Sequence, residues 1–322
     1  MKRLHRAILV IAYLAGAAQP AAAQSWPTRP LRAIVPVNAG SSTDIVPRVV
    51  FEQLGTQLGQ AVVVENRAGA GGTIGVAQVA RALPDGYTLL AHGSAHTIAP
   101  ALYPNLSYDP VRDFVAVVPL GVTPSVLVVA PSKRYRTVAD LVADAKARPG
   151  ALNFSSVGIG SATHLSAERF RLSADITAVH VPFKGGAEAM SEAMAGRVDF
   201  FFGPIALVLP QIREGKLVAL AVNGSRRAPV LPDVPTLNEA GVANAEYPIW
   251  FGVFVPARTP SEVVDRLNRE TLQALQSPKV RESLLSLGVE PMPMTPAQFE
   301  AYVRKEVEIN AALVQATGLK PE

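Results

Sequence analysis

An α/β fold, built on parallel strands and divided into two domains, is what this sequence predicts, and three observations carry it. A strand-to-glycine-to-helix turn occurs three times, once early around Gly40 and twice in the middle, around Gly158 to Gly160 and at Gly185-Gly186. In parallel α/β sheets such turns sit at the carboxyl ends of strands, where ligands bind. The chain has 322 residues, more than the commonest single-domain size. Its 49% hydrophobic and 17% charged residues describe a packed interior and exclude a disordered chain.

Taken in order, Leu31-Arg32-Ala33-Ile34-Val35 reads as a buried strand stopped by Pro36. Asn38, Ala39 and Gly40 form a loop, with Gly40 free to take backbone angles that other residues avoid. Ser41 or Ser42 can cap a helix over residues 43–58, whose apolar face is Val46, Val49, Val50, Leu54 and Leu58, with Asp44 in its first turn. Residues 60–65 read as a short buried strand and 76–82 as a helix. Between them, Gly69-Ala70-Gly71-Gly72-Thr73-Ile74-Gly75 nearly copies a dinucleotide fingerprint. The last glycine of that spacing would fall at Ile74, so a structural glycine turn is expected instead.

Pro84-Asp85-Gly86 is a turn before a strand over 87–91, which runs into a polar loop over 92–97. His92 and His96 have a metal-ligand spacing but no third ligand nearby, so they are expected as loop histidines or hydrogen-bond donors. Strands follow over 114–120 and 125–130. Thr137 and Asp140 form a capping box for a helix ended by Arg148-Pro149-Gly150. After the two central turns come strands over 198–202 and 217–222, a short helix over 236–241, and a strand over 250–256 with Trp250 in the core. Thr259-Pro260 opens a helix to about residue 276, and helices over 279–288 and 295–317 close the chain.

The pI near 9.4 invites a nucleic-acid partner, but the basic balance is concentrated at the start. Lys2, Arg3 and Arg6, an apolar stretch over residues 7–18 and Ala21-Ala22-Ala23 together read as a cleavable signal peptide over residues 1–23. Removing its three positive charges takes the net charge from +4 to about +1. The apolar stretch is shorter than the roughly 20 residues that a membrane span needs. With no cysteine, a lipid-anchored lipoprotein, disulfides, thiol catalysis and thiolate metal sites are all excluded. A bacterial periplasm is the expected compartment, with a secreted soluble protein as the alternative.

Exposed N–H groups at a helix start, lined by small hydroxyl residues, suit a carboxylate or phosphate, so the three turns point to an anion held between two halves. A hydrolase is the rival class, since Ser161 and His164 could be drawn with Asp175 or Asp199 as a triad. However, Gly158-Ile159-Gly160-Ser161-Ala162 departs from the G-x-S-x-G elbow, and Ser161 reads better as a helix cap.

Along its mature length the sequence resembles the substrate receptors of tripartite tricarboxylate transporters, the Bug receptors. The resemblance rests on Trp26-Pro27-Thr28-Arg29-Pro30, Gly40-Ser41-Ser42-Thr43-Asp44, Val64-Glu65-Asn66-Arg67 and Gly69-Ala70-Gly71-Gly72. Further on it rests on Pro84-Asp85-Gly86-Tyr87-Thr88-Leu89-Leu90, Tyr108-Asp109-Pro110, His180-Val181-Pro182-Phe183-Lys184-Gly185 and Leu231-Pro232-Asp233-Val234-Pro235-Thr236.

The resemblance implies a two-lobed α/β periplasmic binding protein, type II-like and of the Venus-flytrap kind, with two crossover connections. Lobe 1 would be residues 24–124 plus 250–322, and lobe 2 residues 125–249. The implied ligand is a small organic acid gripped by backbone amides and hydroxyls. Lobe 1 would offer Val37, Asn38, Gly40, Ser41, Ser42, Thr43, Ser94 and Ala95. Lobe 2 would offer Gly160, Ser161, Ala162, Thr163, His164, Lys184, Gly185, Gly186 and Gly203. The implied partners are the large and small integral membrane subunits of a transporter, with a membrane sensor kinase as the alternative. No catalytic residue, metal, cofactor or nucleic acid is implied, and a monomer is expected.

Two departures stand out. The first turn lacks the family's aromatic or proline near Val37 and Asn38, and Gly40-Ser41 replaces paired glycines. Gly203-Pro204 stand where the family usually has an aspartate, often followed by asparagine. Without that carboxylate a ligand amine has no partner, which points away from amino acids.

Overall fold

The computed structural model describes residues 26–319, so the expected signal peptide lies outside the described residues. In chain order the strands are β1 (Leu31–Val35), β2 (Val62–Asn66), β3 (Thr88–Gly93), β4 (Phe114–Thr123), β5 (Ser125–Val129), β6 (Leu152–Ser156), β7 (Ala178–Pro182), β8 (Phe200–Pro204), β9 (Val218–Val222) and β10 (Ile249–Pro256). They form two five-stranded sheets, β2-β1-β3-β10-β4 and β7-β6-β8-β5-β9. In the first, β1 is parallel to β2 and β3, while β10 runs antiparallel between β3 and β4. In the second, β6 is parallel to β7 and β8, while β5 runs antiparallel between β8 and β9. The chain passes between the sheets twice, through Pro124 and through residues 223–248.

The helices are α1 (Ser42–Leu58), α2 (Thr73–Ala80), α3 (Ala95–Leu102), α4 (Val138–Ala147), α5 (Ala162–Ser173), α6 (Gly186–Met194), α7 (Ile205–Arg213), α8 (Ser261–Gln276), α9 (Pro278–Ser286) and α10 (Pro296–Thr317). They cover both faces of both sheets, which explains the unbroken apolar strands of the sequence. Leu31, Ala33 and Val35 enter one core and Ile34 the opposite one. In the second sheet Phe200 and Phe202 point one way and Phe201 the other. Alternate residues thus face two separate cores, as the period of a strand requires.

Four sequence expectations change. β2 is an edge strand with Val63 half-exposed, whereas a buried strand was expected, because an apolar run does not reveal which side lacks a neighbour. The polar loop over 92–97 shrinks to Ser94: β3 runs through Gly93, and α3 begins at Ala95 to bury Ile98, Ala99 and Leu102. Helix α7 was not expected; Pro210 inside it breaks the helical signal, while Ile205 and Val208 bury on one face. Residues 236–241 form a turn and no helix, closed by Thr236 N–H donating to Glu239 (2.8 Å) and Glu239 N–H donating to Thr236 Oγ1 (3.1 Å).

Candidate ligand-binding site

The β1–α1 turn is shaped from below by a buried charge. Asp44, 3% exposed, accepts from Gly40 N–H (2.9 Å), Arg48 Nε (2.8 Å) and Asn66 Nδ2 (2.8 Å). Asn66, at the end of β2, also donates to Val37 O (3.1 Å) and accepts from Arg48 Nη2 (2.8 Å). Burial opposes ionisation of Asp44, but the Gly40 N–H, the Asn66 amide and the Arg48 guanidinium outweigh it and hold the carboxyl below its ordinary value. Gly40 takes φ +87° with open space where a Cβ would stand. Ser41 occupies the N-cap position, yet its hydroxyl donates back to Asn38 O (3.3 Å) instead of capping. The N–H groups of Ser42 and Thr43 therefore have no acceptor among the described residues.

The β6–α5 turn reaches the same end with no charged side chain bonded to its backbone. Ser161 caps α5, accepting from His164 N–H (3.3 Å) and donating to Gly158 O (2.7 Å), as the sequence suggested. Thr163 Oγ1 accepts from Val157 N–H (3.1 Å). The N–H groups of Ala162 and Thr163 are without acceptors among the described residues. This turn faces the first sheet: a Cβ on Gly160 would come within 2.3 Å of Leu102 Cδ1 at the end of α3. Ala162 and Val37, from opposite sheets, pack against one core cluster.

His164 turns inward. Its Nδ1 accepts from Gly160 N–H (3.1 Å), so that amide and that ring nitrogen satisfy each other. Its ring stacks on His180 at 3.8 Å between centroids and 14° between planes, with Phe154 against His180. His180 Nε2 and Ser156 Oγ share a hydrogen bond (2.6 Å). Burial, then the neighbouring His180 and Arg171, push His164 down to about 3, and burial pushes His180 down to about 4. Both are neutral at pH 7. The Ser161 hydroxyl is engaged by backbone groups and not by the His164 imidazole, while Asp175 is exposed and Asp199 binds Lys133 (2.6 Å). A serine-histidine-aspartate relay is not assembled.

The remaining predicted residues are spread around these two turns. Ser94 is buried and joins strands: its Oγ accepts from Trp250 N–H (3.1 Å), while the Ala95 N–H opens α3 without an acceptor among the described residues. Lys184 is exposed and its N–H donates to Glu188 (3.3 Å); Gly185 is the N-cap of α6 and Gly186 packs beneath Leu207. Gly203 lies inside β8, buried, where a Cβ would collide with Val208 and Phe201. His92 and His96, expected in a loop, are core residues instead. His96 bonds Pro110 O (3.1 Å) among Tyr108, Phe114 and Phe254. Trp250 is fully buried, its ring edge-on to Phe299 and Tyr302. Among the described residues no group of three or more His, Asp or Glu is placed to hold a metal, and no helix is long and apolar enough to cross a membrane.

The sequence reading missed the Asp44–Arg48–Asn66 network and the His164–His180 stack. An i, i+4 Asp–Arg pair was the one local signal for the first. The second joins a helix and a strand, through residues 16 positions apart, and had none.

Comparison with known proteins agrees with this architecture. The family described as "Tripartite tricarboxylate transporter family receptor" matches residues 46–319. Protein BugT of Bordetella pertussis is 38% identical over 322 residues, covering 99% of each chain. Among solved structures, MatC from Rhodopseudomonas palustris with bound malate superposes with a TM-score of 0.80 at 32% identity, covering 90% of this chain and 100% of that one. Rpa4515 from R. palustris with adipate gives 0.82 at 32% identity, covering 91% and 98%. The two sheets joined by two crossovers are those of a two-lobed periplasmic binding protein, and the two R. palustris structures hold malate and adipate. The chain belongs to the receptor family of the tripartite tricarboxylate transporters.

Proposed function

We propose that the protein captures a small organic acid in the cleft between its lobes and delivers it to the large and small membrane subunits of a tripartite tricarboxylate-type transporter. Residues 24–124 with 250–322 form one lobe and 125–249 the other, and residues 1–23 direct export to the periplasm. The observation that carries this reading is the set of helix starts at the carboxyl ends of β1, β3 and β6. There the N–H groups of Ser42, Thr43, Ala95, Ala162 and Thr163 have no acceptor among the described residues. Helix starts attract anions through aligned N–H groups and the helix dipole. Hydrogen bonds to a charged acceptor are about twice as strong as neutral ones, so a carboxylate can be held without a buried cation. Ligand contacts to both lobes favour the closed arrangement.

Ligand choice follows from Gly203. The end of β8 carries no carboxylate, and its packing against Val208 and Phe201 leaves no room for one. An ammonium group would lack a partner, so plain organic acids, of which the malate and adipate held by relatives are two, are preferred over amino acids.

The test is a thermal-shift screen against malate, adipate, other mono-, di- and tricarboxylates, aspartate, glutamate and nicotinate. A ligand at a hundred times its Kd stabilises by about 2.7 kcal/mol, a readily seen shift. Stabilisation by a plain carboxylic acid is expected. A response confined to aspartate and glutamate would overturn the preference, and no response to any acid would overturn the receptor reading.

A further inference from the structure

Both crossovers converge on one buried asparagine. Asn223, the first residue of the second crossover and fully buried, bonds Ser125, the residue just after the first crossover, twice: Asn223 N–H donates to Ser125 O (3.0 Å), and Ser125 N–H donates to Asn223 Oδ1 (2.7 Å). It bonds Tyr247, near the far end of the second crossover, twice as well, through Tyr247 N–H to Asn223 O (3.3 Å) and Asn223 Nδ2 to Tyr247 O (2.9 Å). The same Nδ2 reaches Ser166 Oγ on α5 (3.0 Å).

A polar chain continues from there through the interior. Tyr247 OH donates to Asn310 Oδ1 on α10 (2.9 Å), Asn310 Nδ2 donates to Thr97 Oγ1 on α3 (2.8 Å), and Thr97 Oγ1 donates to Ser94 O (2.8 Å). Ser94 is the residue before α3, and its Oγ accepts from Trp250 N–H, just past the second crossover. Every residue of the chain is buried. Around it, Leu165 of α5 packs with Ile98 and Leu102 of α3 and with Leu313 and Val314 of α10, so the chain is sealed by apolar contacts from both lobes. A buried hydrogen bond that loses its partner leaves a desolvated polar group, which makes such a chain sensitive to a change in lobe angle.

We propose that Asn223 is the hinge clamp of this receptor and that Tyr247, Asn310 and Thr97 form a relay joining it to the β3–α3 turn. These are positioning residues: they touch no ligand, and they set the balance between open and closed lobes. The complete relay coexists with the approach of Gly160 to Leu102 between the lobes, and breaking the relay is expected to loosen that approach and shift the balance towards the open form. This inference rests on the two-lobed receptor reading given above.

The relay can be tested without a ligand. The chain has no cysteine, so Val63→Cys and Val179→Cys give two defined dye positions. Both residues are half-exposed and lie on β2 and β7, the edges farthest from the crossover strands, where opening moves the lobes most. Single-molecule energy transfer between them reads the open-to-closed ratio, with circular dichroism verifying the fold of each variant. Tyr247→Phe keeps the ring and removes one hydrogen bond; it should raise the open-to-closed ratio about fivefold. Thr97→Val, at the far end of the relay and nearly isosteric, should do the same. The double variant should be no more open than either single one, since both break one chain. Unchanged distributions in both variants, or additive effects in the double variant, would overturn the relay. Failure of malate and adipate to shift the wild-type distribution would count against the receptor reading alone, because the variants are compared in ligand-free protein.

Discussion

The β1–α1 and β6–α5 turns present the same chemistry, unpaired N–H groups at a helix start, on opposite foundations. Beneath the first, a buried carboxylate gathers an arginine, an asparagine and a backbone amide. Beneath the second, neutral histidines, hydroxyls and a phenylalanine stack and bond with no charge on the turn's own backbone, and the buried Glu168, paired with Arg171, lies behind the His164 ring, 3.8 Å from its Nε2. An anion-binding turn thus needs correct backbone geometry more than any particular charge, and the geometry can be held either way. The two foundations differ in what breaks them.

The largest difference is expected at Asp44. Asp44→Ala leaves Arg48, Asn66 and Gly40 N–H without their common acceptor and should destabilise by about 3 kcal/mol in urea unfolding. Acid separates the turns next. A histidine held below its ordinary value is neutral in the fold, whereas the unfolded chain takes up a proton as pH drops below about 6.5. Unfolding then binds protons, so stability falls from about pH 6.5 towards the folded values of about 3 for His164 and about 4 for His180. Between pH 6.5 and 4.5 each should remove roughly 2 kcal/mol. His92 and His96, lowered by burial in the first sheet's core, act in the same sense. Asp44 contributes above its ordinary value of 3.8 and loses that contribution only as pH falls below it. His180→Phe should therefore flatten the melting-temperature profile over this window, and Asp44→Asn should leave its slope unchanged.

Smaller effects refine the contrast. Gly160→Ala combines a positive φ with a Cβ on top of Leu102, so it should hold the lobes apart and raise the Kd for an acid found by thermal shift about tenfold. Gly40→Ala, strained in φ but facing open space, should cost only about 1 kcal/mol of stability. Last, Ser161→Ala should cost about 1 kcal/mol by removing a working cap. Ser41→Ala should cost no more than a few tenths, because that hydroxyl caps nothing.

Sequence alone revealed features that are local. The β1, β6 and β7 turns, the Thr137–Asp140 capping box and the capping role of Ser161 all arise within a few residues, and the structure has them. What escaped was long-range. Nothing near Val63 tells that β2 is an edge, and nothing near His96 tells that Pro110, Tyr108 and Phe254 enclose it. Ser94 appeared as a contact residue in a loop, yet it ties α3 to β10 across 156 positions. Backbone-led recognition adds to the difficulty, since the donating groups are the same in every residue but proline.

The position of β10 bears on how the chain is made. This strand fills the middle of the first sheet, between β3 and β4, although it follows them by more than a hundred residues. Strands β5 to β9 are contiguous and can pair as soon as they emerge, whereas β3 and β4 must wait with open edges until residues 249–256 arrive. Such non-local pairing is slow, and unpaired edges invite aggregation. The first lobe is therefore expected to keep strand edges unpaired for longer, and the second lobe to be ready to nucleate folding before the first can close.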